Sequence, residues 1–137
     1  MEIGQLKQLL IQSWDLETCS PGLRDKWTEE TPSLGQCAIT ALIVNDFFGG
    51  KIMRCMASTG SHYYNQIGDN LVDLTVEQFG GEIPDYEHGE ERTREYLLSS
   101  EDTRNRYNLL NDRVWFYLDE DKKVLGEKGM VLSKREK

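Results

Sequence analysis

The most constraining stretch of this chain runs Cys37-Ala-Ile-Thr-Ala-Leu-Ile-Val-Asn-Asp-Phe-Phe48. Wound as a helix, it is apolar on nearly every face. Such a helix belongs in the middle of a core, wrapped by other elements. Pro32 and Gly35 keep the preceding residues out of it, so it begins near Gln36 or Cys37. Gly49-Gly50 stops it, because glycine readily takes the left-handed conformation past a helix end. At 137 residues the chain has material for one such core; halves would sit close to the lower limit for independent folding.

The wrapping elements follow from pattern. Ile3, Leu6, Leu10 and Ser13 predict a helix over Glu2 to Ser13. Trp14 to Gln36 is polar and broken by Pro21, Gly22, Pro32 and Gly35, a long loop that Trp14 and Trp27 can pin to the core. Three strands are expected at Lys51–Ala57, Ser61–Ile67 and Leu71–Leu74, with turns at Gly60 and Gly68-Asp69-Asn70. Thr75 and Gln78 have capping-box spacing and open a short helix before Gly80-Gly81. Gly81 to Gly89 reads as a loop and Glu90 to Leu98 as a helix. A last helix is capped by Ser100 and ends near Tyr117. Helix, loop, helix, small antiparallel sheet, helix is an α+β order.

Charge excludes some functions. Lys and Arg total 16 against 24 Asp and Glu, a net of -8. An acidic surface repels phosphate backbones, so nucleic acid is not an expected partner. Residues 122–137 hold six cations and two carboxylates, which leaves -12 on residues 1–121. The expected organisation is one domain over 1–121 and a basic, solvated tail over 122–137. Hydrophobic residues make up only 38%, but thirteen aromatics are too many for a disordered chain. Three scattered cysteines without CxxC spacing suit neither a zinc ribbon nor a disulfide scaffold. No leader-like start or membrane-length apolar run is seen, so a cytoplasmic location is expected.

Cys37 is the residue to explain. Unpaired amides and the helix dipole at a helix start favour a negative charge, which activates a thiol and can hold an oxyanion. Cys19, in the loop, and Cys55, mid-strand, lack that setting. The plainer reading of Cys37 is a small buried hydrophobe. Of two histidines, His88 lies in an acidic loop and reads as solvated, while His62 is on a strand. A catalytic histidine needs an orienting partner. If Ile67 pairs with Asn70 across Gly68-Asp69, His62 faces Thr75 and Asp73 is its diagonal neighbour on the same sheet face. A loop of odd length would put Asp73 on the other face. Asp73 could otherwise be a turn-flanking or capping carboxylate. Gln36 could donate to an oxyanion or help cap the helix, and Gln12 is a further oxyanion candidate. Trp14 is a candidate for lining the site. Cys37, His62 and Asp73 could also be three metal ligands, although their spacing matches no familiar zinc pattern.

A helix-start Cys, a strand His and a next-strand Asp, in that order, are similar to the papain-like and transglutaminase-like cysteine enzymes. The resemblance implies a papain-like arrangement, with a central helix packed on a small antiparallel sheet and helices flanking it. A narrower resemblance is carried by Pro32 to Gly50, Ser61 to Asn65 and Asp73 to Phe79. Arg94 to Leu98, Arg106 to Leu110, Arg113-Val114 and Ser13-Trp14 with Glu17-Thr18 add to it. Together these strings resemble the bacterial YunG-like proteins over nearly the whole chain to about Tyr117. That group supplies no activity, but Cys37, His62 and Asp73 all lie inside its signature strings. The Arg and Tyr of the later helices read as packing and ion-pair positions.

The expected function is acyl transfer on an amide, peptide or isopeptide bond by Cys37, His62 and Asp73, with no cofactor. The alternative is a non-catalytic binding or interaction module on the same fold. Acidic loops around the groove favour a neutral or basic peptide, protein or small amide substrate. Oligomeric state is left open.

Overall fold

A computed structural model describes residues 1–127. Its element order is α1 (Ile3–Ser13), α2 (Cys37–Phe48), β1 (Lys51–Ala57), β2 (Gly60–Ile67), β3 (Asn70–Val72), β4 (Glu90–Arg92), α3 (Arg94–Leu98) and α4 (Glu101–Glu127). Short 3₁₀ helices occupy Pro21–Lys26, Val76–Phe79 and Tyr86–His88. The fold is α+β, with one antiparallel sheet of four strands in the order β3-β2-β1-β4.

The all-apolar helix lies in the middle, as its composition demands. Ile39, Ile43 and Val44 of α2 pack with Leu6, Leu9 and Leu10 of α1 and with Leu110, Val114 and Leu118 of α4. Its opposite side, at Ala41 and Leu42, packs with Ile52 of β1 and Leu97 of α3. Six consecutive residues, Ile39 to Val44, are buried. Asn65 of β2 donates from Nδ2 to the Ala41 carbonyl at 3.0 Å, tying sheet to helix.

The sheet register has the predicted parity. Ile67 pairs with Asn70 and Asn65 with Val72, across a two-residue turn at Gly68 (φ 60) and Asp69. A positive φ at the first central position suits a tight hairpin turn and costs glycine nothing. Ladder pairing stops at Val72, short of the expected Leu74, but the parity carries on to Asp73.

Two expectations differ. Glu90 to Leu98 is not one helix. Glu90–Arg92 is a strand on the outer edge of β1, and only Arg94–Leu98 is helical. Edge pairing overrides the helix preference of the glutamates, and Thr93 sets the helix start by accepting the Tyr96 N–H on Oγ1 at 3.1 Å. The last helix does not end near Tyr117. It continues to Glu127, because Leu118 follows Val114 on the buried stripe and no Gly or Pro intervenes before Gly126. It therefore runs unbroken across the expected start of the basic tail at 122. The remainder of that tail, 128–137, lies outside the described residues.

The 14–36 segment is ordered by specific ties rather than by long elements. Arg113 donates to the Ser13 carbonyl at 3.0 Å and pairs with Asp15 and Glu17, each at 2.8 Å. The buried Arg106 donates to the Thr18 carbonyl at 2.9 Å and pairs with Asp102. Arg94 donates to the Leu42 carbonyl and pairs with Asp46, whose carboxylate also accepts from Tyr107. These are the packing and ion-pair roles expected of the later arginines and tyrosine.

Candidate functional site

The site is built on the face of β2 opposite Asn65. Side chains alternate along a strand, so His62 and Tyr64 share that face. The segment from Asp73 to Tyr86 covers it. Phe79 meets the His62 ring edge-on, with centroids 4.8 Å apart, and Tyr64 stacks beyond it at 6.2 Å. This cover leaves the His62 side chain 1% exposed and that of Asp73 4%.

His62 Nε2 lies 2.6 Å from Asp73 Oδ2. The diagonal relation fixed by the hairpin parity thus closes into a hydrogen bond. Asp73 is itself held. Its Oδ2 also accepts from Tyr86 Oη at 2.6 Å, and its Oδ1 accepts from Thr75 N at 3.2 Å and Thr75 Oγ1 at 3.4 Å. The carboxylate therefore has little rotational freedom, and the ring it holds has little either. Asp73 is the capping carboxylate of the Thr75 turn as well as the partner of His62. Gln78 does not complete a capping box; its Nε2 donates to the carbonyl and Oγ1 of Thr75, each at 3.0 Å.

The second ring nitrogen is the informative atom. His62 Nδ1 is buried and has no hydrogen-bond partner. Buried polar atoms are nearly always paired, so an orphan calls for an explanation. The Cys37 thiol interacts with the ring closely enough to influence its protonation, without closing a well-formed hydrogen bond. Burial alone would push the His62 pKa down. Hydrogen bonding and negative charge from Asp73 and Cys37 outweigh it and raise the pKa to about 9. Asp73 thus favours the charged form of the ring.

Cys37 is also singled out by access. It is half-buried, whereas Cys19 and Cys55 are buried. Burial pushes the Cys19 thiol up, and burial with the nearby charge of Asp73 pushes Cys55 up to about 11. Cys37 is the first residue of α2, where the opening amides have no intrahelical partner.

The Gln36 side chain is held inside the fold rather than at the helix cap. It makes no side-chain cap. It is fully buried, and its Nε2 is committed to the Asp15 carbonyl at 3.1 Å. That bond ties the loop to the helix start and uses one of the two Nε2 hydrogens. Trp14 does not line the site. It is buried in the core between α1, α2 and α4, and its Nε1 donates to Thr40 Oγ1 at 3.0 Å. It braces the first turn of α2 from behind. Trp27 is half-buried and closes its own loop through the Pro32 carbonyl. Gln12 is exposed on α1. His88 is exposed, paired with Asp85. Among the described residues no three His, Cys, Asp or Glu side chains gather as a metal site, so the ligand reading of Cys37, His62 and Asp73 has no support. Tyr86 is the residue sequence reasoning missed. Nothing in Asp-Tyr-Glu-His marks it until the 81–89 loop folds over Asp73.

Taken together, the molecule is a small α+β protein with a helix-start cysteine and a buried His–Asp pair on a four-stranded sheet. It belongs to the YunG family, whose family model, described as YunG protein, matches residues 2–119. The uncharacterized protein YunG of Bacillus subtilis (strain 168) is 37% identical over 102 residues, covering 74% of this chain and 84% of its own. No solved structure matches the chain. Among the described residues no helix is long and apolar enough to cross a membrane.

Proposed function

We propose that the protein is a cysteine-dependent acyl-transfer enzyme of papain-like design, acting on an amide, peptide or isopeptide bond. One observation carries this reading: the buried His62 ring is clamped by Asp73 on Nε2 and has Nδ1 unpartnered, and the half-buried Cys37 is close enough to act on its protonation.

The chemistry follows from the placement. Cys37 Sγ, as thiolate, attacks the carbonyl carbon and forms a C–S bond. The carbonyl oxygen takes the displaced electron pair and is held by the free amides at the start of α2. His62 Nδ1–H protonates the amine as the C–N bond breaks. The now neutral Nδ1 accepts a proton from water, or from an acceptor amine, which attacks the thioester. The C–S bond breaks and Cys37 leaves as thiolate beside the recharged ring. Asp73 holds the ring's orientation throughout and stabilises its positive form. The backbone serves the oxyanion, since the Gln36 side chain is buried and tied to the Asp15 carbonyl.

A second reading, a binding module on the same fold, is favoured by one observation. The open groove beside Met56 and Phe79 does not have Cys37 in its wall. Iodoacetamide alkylation separates the two. Acyl transfer expects Cys37 to alkylate at neutral pH at least about tenfold faster than Cys19, and His62→Ala to remove that advantage. A rate no higher than that of Cys19 would sink the enzyme reading.

A further inference from the structure

The β1–β2 turn and the loop before Tyr86 enclose an open groove of about 420 Å³. Phe79 and Pro84 are buried beneath it, and Met56 and Ile83 flank it. Both flanks are unusually bare, Met56 at 52% and Ile83 at 83% exposure. The loop is not loose there, because Asp85 N donates to the Met56 carbonyl at 2.9 Å. Two carboxylates, Glu82 and Asp85, stand on the same wall, and no Lys or Arg lines it. Asp85 is shared with His88, but Glu82 makes no ion pair among the described residues. Phe79 is common to groove and site: the ring that forms part of the groove is the one set edge-on against His62.

We propose that this groove is a peptide subsite that takes an aliphatic side chain next to a lysine or arginine. The aliphatic group replaces water over Met56, Phe79, Ile83 and Pro84. The adjoining cation meets Glu82 and Asp85 in a field already negative from the whole body of the protein. Its role as a substrate subsite rests on Cys37 being a nucleophile; its capacity to bind does not. A side chain seated there lies one aromatic ring, that of Phe79, away from His62.

The test uses the full chain carrying Cys37→Ser, so that nothing is turned over, with amide shifts followed by NMR. The probes are N-acetyl-Leu-Arg-amide, N-acetyl-Leu-Glu-amide and N-acetyl-Gly-Arg-amide. Saturable shifts at Met56–Ser58 and Phe79–Asp85 are expected, with Leu-Arg bound about fivefold more tightly than either control. Glu82→Lys with Asp85→Lys, both on exposed side chains, should abolish the preference for Arg over Glu. Ile83→Ser should weaken Leu-Arg and leave Gly-Arg unchanged. Equal affinity for Leu-Arg and Leu-Glu, shifts elsewhere, or no saturation at millimolar peptide would overturn the proposal. Wild-type alkylation keeps the two readings apart. Peptide binding with a slow, His62-independent Cys37 sinks the enzyme and leaves the groove. A fast Cys37 with no groove binding sinks the groove alone.

Discussion

His62 is buried with its Nε2 2.6 Å from Asp73, and that carboxylate is what sets the ring apart from an ordinary histidine. Asp73→Asn removes the negative charge and the strong acceptor on Nε2 while keeping the size of the side chain. The ring's pKa should then fall from about 9 toward or below the free value of 6.5. Titrating the ring protons by NMR checks this; a pKa that stays near 9 would mean Asp73 is not its cause. Tyr86→Phe tests the other partner of the same oxygen. It deletes one donor to a buried carboxylate and should cost about 1–2 kcal/mol in urea unfolding. Asp73 keeps His62 and Thr75, so Cys37 alkylation should change little. The first residue of the trio was visible in the chain through its helix-start position. The second was visible as the histidine on a strand, and the third only as a parity argument, since two-residue and three-residue turns put Asp73 on opposite faces. Tyr86 was invisible, because a tyrosine in a polar loop carries no mark of the carboxylate it will meet.

At the scale of elements, the start of α2 decides where the thiol sits. Gly35 precedes it with φ 76, and a Cβ there would come 2.4 Å from Cys19 Sγ. Gly35→Ala should cost about 2 kcal/mol or more, since both backbone and space refuse it. It should also slow Cys37 alkylation, because Gln36 and Cys37 follow directly. Thr93→Ala makes a useful contrast. It removes the cap of α3 and should cost about 1 kcal/mol with little effect on the thiol, because its side-chain bond is to Tyr96 within α3 itself. Thermal or urea unfolding beside alkylation reads both; a Gly35→Ala protein with native stability would refute the steric account. The limits of α1, α2 and β1 were legible because apolar period and glycine breaks agree there. The limits of β4 and α4 were not. Glu90 and Glu91 have no local reason to be extended until β1 offers its edge, and α4 carries on because Leu118 finds the core.

For the molecule as a whole, the charged His62 links stability to pH. Its folded pKa of about 9 lies above the ordinary 6.5, so the folded state holds a proton that the unfolded chain releases. That contribution is complete below pH 6.5 and is lost as pH rises toward 9, at up to about 1.4 kcal/mol per pH unit between. Cys55, raised from 9.0 to about 11, carries the same sign above pH 9. Urea midpoints of the wild type should therefore drop between pH 6.5 and 9, and His62→Gln should flatten that fall; parallel curves would count against the assignment. What the chain determined by itself was the architecture around α2. A helix with no polar face must be enclosed on two sides, and helices on one and a sheet on the other follow from that burial. The parity of a two-residue hairpin, equally local, put His62 and Asp73 on one face. The tertiary structure alone decided what closes over them. Phe79, Tyr86 and the half-buried thiol of Cys37 come from segments far apart in sequence, brought together by long-range packing that no local pattern encodes.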